Sequence, residues 1–168
     1  MRRTHSQTIA TSDLLQIPGF SACTPKQLAE IDRLTDRSVA LPGRVLVREN
    51  SYGNELFIIL SGTARVSRAG RLVTTLGCGD HFGELGAIGL GQRDATLTAL
   101  SVLSVLIVGP REFTTLMADV PGFRDALLRG MARRLRAADD TIETMAEIQD
   151  SLPLAAIYPI RGARSLVS

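Results

Sequence analysis

From Arg37 to Val108 the sequence falls into short apolar runs, several of them with a period of two, and glycine, proline or asparagine interrupts them at nearly even spacing. The runs are S-V-A-L from Ser38, R-V-L-V from Arg44, E-L-F-I-I-L from Glu55, T-A-R-V-S from Thr63, R-L-V-T-T-L from Arg71, A-T-L-T-A-L from Ala95 and S-V-L-I-V from Ser104. Turns fall at Pro42-Gly43, Asn50 to Asn54, Ser61-Gly62 and Ala69-Gly70. A period of two predicts half-buried strands. Seven or eight of them joined by tight turns predict an antiparallel jelly-roll, or Greek-key, β-barrel. The expected fold class is mainly β with flanking α.

The flanks change period. Thr24 stands as N-cap before Pro25 at the first helical position, with Leu28, Ile31 and Leu34 on one face, after a shorter helical piece at L-L-Q-I-P-G-F. Pro110 ends the last strand, Arg111 to Val120 predicts a helix with Phe113, Leu116 and Met117 inward, and Pro121-Gly122 breaks it. From Phe123 to about Gln149, Leu128, Met131, Leu135, Ala138, Ile142 and Met145 recur at alternating intervals of three and four, a heptad seam. Such a seam buries against the barrel or against its own copy, and the charged flanks favour a homodimer. The division expected is a flexible tail over 1–12, a barrel domain with its N-terminal helices over 13–122, a long helix over 123–150 and a tail over 151–168, in which Tyr158 is a packed anchor, with a lid over the ligand as the alternative.

One stretch inside the barrel does more than turn the chain. Asp80 to Ala99 reads D-H-F-G-E-L-G-A-I-G-L-G-Q-R-D-A-T-L-T-A. Gly77 and Gly79 supply a tight turn, and Gly83, Gly86 and Gly89 leave backbone N–H groups open to an anion. Glu84 offers an acceptor for sugar hydroxyls; Arg93, nine positions on, offers a rigid fork of donors for phosphate oxygens.

F-G-E-L-G-A-I followed by R-D-A-T resembles the phosphate-binding cassette of the cyclic nucleotide-binding domain family. The resemblance implies that Glu84 takes the ribose 2′-hydroxyl, that Arg93 takes the cyclic phosphate, and that Leu85 to Ile88 dock on the barrel. It implies a ligand-binding set of Phe82, Gly83, Glu84, Leu85, Gly86, Ala87, Arg93, Asp94, Ala95 and Thr96. Base contacts, which the catabolite-activator branch makes with hydroxyls on its long helix, fall here at Ala138 and Asp139. Thr96 suits a phosphate or a guanine in the syn form. The ligand expected is cAMP, by family frequency, with cGMP the second candidate. Asp94 departs from the pattern, which usually has a small or hydroxylic residue there: a carboxylate beside a phosphate repels it, unless it turns outward and pairs with Arg93.

Other function classes lack residues. Histidine occurs only at His5 and His81, so no metal site is expected, nor a cofactor besides the ligand. No nucleophile and base can be assembled around His81, Cys23 or Cys78, which argues against an enzyme. Two cysteines make no disulfide framework, and a reducing cytoplasm fits. The apolar run near Val102 to Val108 is too short to span a membrane. A net charge of +2 is too mild to imply nucleic acid. A-R-R-L-R-A-A-D-D-T-I-E-T-M, from Ala132, resembles the dimer helix of the catabolite-activator branch, where a winged helix-turn-helix follows. Fewer than twenty residues remain beyond it here, so no DNA binding is expected.

The reading is a cytoplasmic, non-catalytic module that binds a cyclic nucleotide and couples it to rearrangement of its C-terminal helices, acting on an effector protein that the sequence does not identify. Its alternatives are a degenerate, ligand-free fold used for protein contacts and a truncated catabolite-activator-type transcription regulator.

Overall fold

The structure is a computed structural model and describes residues 14, 15, 17, 18 and 20–151. The two expected tails, with Tyr158, lie outside these residues, Ser151 apart. Among the described residues eight strands form: β1 (Asp36–Ala40), β2 (Val45–Val47), β3 (Leu56–Ser61), β4 (Ala64–Arg68), β5 (Arg71–Leu76), β6 (His81–Phe82), β7 (Thr96–Ala99) and β8 (Leu103–Val108). They make two antiparallel sheets of four, in the orders β1-β8-β3-β6 and β2-β7-β4-β5. Apart from the β4–β5 hairpin, strands that follow one another in sequence fall in opposite sheets, as the jelly roll requires. Strand β6 is the one that no run announces, because two residues are too few to show a period.

Alternation along the strands places the core between the sheets. Phe57 and Ile59 of β3 and Leu103 and Val105 of β8 meet Val47, Ala64, Val66, Leu97 and Ala99 of the facing sheet. The opposite face of the first sheet is apolar too: Leu56, Ile58, Leu106 and Val108 are buried. That is why β3 and β8 read as nearly unbroken apolar runs. Phe20 stacks on Phe123 with ring centroids 6.2 Å apart, and Phe113 meets Phe123 edge-on at 6.4 Å, so helical segments cover that side.

Helix α1 (Pro25–Arg33) starts as expected, with the Thr24 hydroxyl accepting from the Gln27 N–H and the Gln27 side chain accepting from the Thr24 N–H. Helix α2 (Pro110–Asp119) buries Phe113 and Leu116. Helix α3 runs over Pro121–Ser151, two residues earlier than Phe123. Pro121 has no N–H to lose at a helix start, so the residue that stops α2 also opens α3. Two compact units divide the chain, one ending at Gly130 and the other beginning at Met131.

Candidate functional site

The site grows from a loop that the strands hold fixed. The Arg93 N–H donates to the Ser51 carbonyl at 2.8 Å and its own carbonyl accepts from Asn50 N–H at 2.8 Å, while Gly53 N–H donates to Gly91 O at 2.9 Å. Residues 50–53 and 91–93 thus run antiparallel, with a bridge between Tyr52 and Gln92. This pairing aims the Arg93 side chain inward, where it is 4% exposed.

An arginine this buried needs partners for its donors. Nη1 donates to Gly83 O at 3.2 Å, and Nη2 donates to Glu55 Oε2 at 3.0 Å in an ion pair whose carboxylate side is half-exposed. The Phe57 ring lies 5.8 Å from Cζ, within cation–π range. Burial pulls the guanidinium below the usual arginine range, and the Glu55, Glu84 and Asp94 carboxylates pull it back up.

Three glycines make room for this fork. A Cβ at Gly53 would lie 2.8 Å from Arg93 Nη2, one at Gly83 would strike Nη1, and one at Gly86 would strike the Gly53 carbonyl and lie 3.0 Å from Nη1. Gly83 has φ 92°, a left-handed conformation that glycine adopts without strain. After it, Gly86–Leu90 forms a single π turn, kinked at Gly89, with Ala87 N–H donating to Gly83 O at 3.1 Å.

The expected site residues therefore separate by position. Gly83 and Gly86 both lie against the Arg93 guanidinium, and Glu84, partly buried, acts on Arg93 electrostatically. Phe82 and Ala95 lie in the barrel core, 6% and 2% exposed, and so anchor the two ends of the cassette. Leu85 and Ala87 are half-buried on the turn between. Thr96 Oγ1 accepts from Glu49 N–H at 3.0 Å, which ties the strand after Arg93 to the end of β2. Ala138 and Asp139 belong to the second unit and are exposed on α3.

Asp94 turns outward, but its partner is not Arg93. Arg68 Nη2 donates to Asp94 Oδ2 at 2.7 Å and Arg68 Nε to Asp94 O at 2.9 Å. Sequence reasoning also missed Gly53, Glu55 and Phe57. The signal available was Gly53-Asn54-Glu55, a turn followed by a carboxylate at the first position of an apolar run.

With this geometry in view, the chain can be set beside known proteins. Residues 38–120 match the profile described as cyclic nucleotide-binding domain. A CRP-like cAMP-activated global transcriptional regulator of Mycobacterium tuberculosis is 30% identical over 74% of this chain and 55% of its own length. A cAMP-dependent protein kinase regulatory subunit of Hypocrea atroviridis is 28% identical over 65% of this chain and 24% of its own. The chain thus spans about half the length of the first relative and a quarter of the second. Among solved structures, the Thermus thermophilus catabolite activator protein superposes with a TM-score of 0.67 at 25% identity, over 77% of this chain and 63% of that one.

Proposed function

Since residues 38–120 of this chain belong to the cyclic nucleotide-binding domain family, we propose that it is a regulatory module that binds cAMP, with cGMP the second candidate, and passes the bound state to its C-terminal helices. The observation that carries this reading is Arg93: a guanidinium 4% exposed, caged by three glycines, nine positions after a partly buried Glu84. A solvated surface arginine has no need of such a cage. A cyclic phosphate brings one negative charge, and a fork with five donors can meet its oxygens while keeping the Gly83 and Glu55 contacts. Glu84 takes the ribose hydroxyl in this scheme, and Thr96 offers its hydroxyl proton to phosphate or base.

The coupling to helices has a physical route within the first unit. His81 precedes Phe82 on β6, is 5% exposed, and its ring packs on Gly130 of α3 so closely that a Cβ there would strike it. Closure of the cassette on a phosphate pulls on β6, and β6 presses on α3. Ligand binding shifts the helix only so far as the ligand prefers one arrangement over the other. We assign the module a sensing and not a catalytic role, acting in the cytoplasm as a homodimer joined through α3 and instructing an effector protein. Among the described residues no helix is long and apolar enough to cross a membrane, and no group of metal-ligating side chains occurs.

The second reading, a ligand-free fold used for protein contacts, draws on the Glu55 carboxylate that already engages Arg93 Nη2. Calorimetric titration of the chain with cAMP and cGMP separates the two. Arg93→Leu should weaken binding by ~2–5 kcal/mol, roughly thirtyfold to several thousandfold. Glu84→Ala should cost less, losing a hydroxyl contact and not a charge pair. Equal affinity of wild type and Arg93→Leu for both nucleotides would leave the ligand-free reading standing.

A further inference from the structure

The Arg93 fork sits among three carboxylates, Glu55, Glu84 and Asp94, each of which acts on its charge. An anion entering there meets one cation and several negative charges, so the compensation of those charges decides whether it stays. Glu55 bonds directly to Arg93. Asp94, the next residue in the chain, is held by a different cation. Arg68, the last residue of β4, grips Asp94 twice, at the carboxylate and at the backbone carbonyl.

The turn that follows Arg68 is fastened to the same region. Ala69 and Gly70 both have positive φ, 49° and 75°, the two-residue hairpin turn whose first position an alanine adopts at a cost. Ala69 N–H donates to Glu49 Oε2 at 2.7 Å, and Glu49 N–H in turn donates to Thr96 Oγ1. The β4–β5 hairpin tip, the end of β2 and the loop carrying Arg93 are thus one hydrogen-bonded set. The Arg68–Asp94 pair is half-exposed on both sides, 56% and 46%, so it adds little to stability. Its effect lies in where it keeps the Asp94 charge.

We propose that Arg68 is a positioning residue of the anion site: by holding the Asp94 carboxylate on its own guanidinium, it keeps that charge from competing for Arg93 and from repelling a phosphate. This rests on the reading of the site as one for a cyclic phosphate. Without Arg68, Asp94 either bonds to Arg93 or stands against the ligand, and each outcome weakens binding.

The test is calorimetric titration of the full chain with cAMP and with cGMP, for wild type, Arg68→Gln, the double variant Arg68→Gln/Asp94→Asn, and Arg93→Leu, with circular dichroism to confirm folding. Arg68→Gln should bind about tenfold more weakly, the scale of one partly screened like charge near the ligand. The double variant should return to within a few-fold of wild type, because the offending charge has gone. A merely structural role, through the bond to the Asp94 carbonyl, predicts a double variant as weak as the single one, and that result overturns the proposal. Unchanged affinity in Arg68→Gln beside a large loss in Arg93→Leu also overturns it, and leaves the site itself intact. Failure of wild type to bind either nucleotide overturns both. Should Arg68→Gln not fold, Asp94→Asn alone decides: affinity equal to or above wild type agrees, and weaker binding refutes.

Discussion

At the scale of single residues, the site depends as much on absent atoms as on present ones. Gly86 makes this testable, since the Cβ of an alanine there would strike the carbonyl of Gly53, a residue whose N–H is bonded to Gly91 O in the paired loop. Overpacking of this kind costs ~1–3 kcal/mol. Gly86→Ala should therefore lower the midpoint of urea unfolding and weaken nucleotide binding together. A variant as stable as wild type would show that the loop yields more easily than its bonds imply. Gly89 is the contrast: nothing lies within reach of a Cβ there, and the cost of a side chain would be the positive φ of 102° alone.

Among the elements, α3 carries the argument. Gly130 lies in its interior, where alanine is ordinarily the better helix former by ~1 kcal/mol. Here the His81 imidazole lies where the Cβ would go, and His81 is itself buried, lining a small cavity together with Ile17, Pro18, Phe20, Ile58 and Phe123. Gly130→Ala should thus destabilise the protein in spite of its helix propensity, by up to ~2 kcal/mol once the gain is subtracted from the clash. Thermal unfolding followed by circular dichroism reads the sign directly. A rise in midpoint would mean that the ring moves aside freely, and would remove the mechanical link proposed between β6 and α3.

For the whole molecule the question is what covers the seam. Leu128, Leu135, Ile142 and Met145 are 52%, 66%, 65% and 65% exposed, a stripe of large apolar side chains at heptad spacing along one helix. A stripe of this size on a lone chain stands open to water, and a second copy offers the self-complementary surface that a two-fold dimer uses. Leu135→Glu combined with Ile142→Glu should turn a dimeric mass into a monomeric one by light scattering. An unchanged dimer mass would refute the assignment of the seam.

The barrel was legible from the sequence because a strand half-buried between core and water must alternate, and glycine, proline and asparagine mark where the chain reverses. The α1 start was legible for a similar reason, since Thr24, Pro25 and Gln27 satisfy a helix terminus through contacts at most three residues apart. Gly83, Glu84, Gly86 and Arg93 stood out because the cassette is local, its residues lying within eleven positions of one another. What the sequence could not specify are the contacts that close across strands. Glu55 meets Arg93 from 38 positions away and Arg68 reaches Asp94 from 26, each brought there by sheet pairing and not by spacing. The destination of the Asp94 carboxylate was open for the same reason: its neighbour in the chain is Arg93, but the β4–β5 hairpin brings Arg68 to its carboxylate and to its carbonyl together. Charge and residue type set which partners Asp94 could accept, and the folded sheet decided which one arrives.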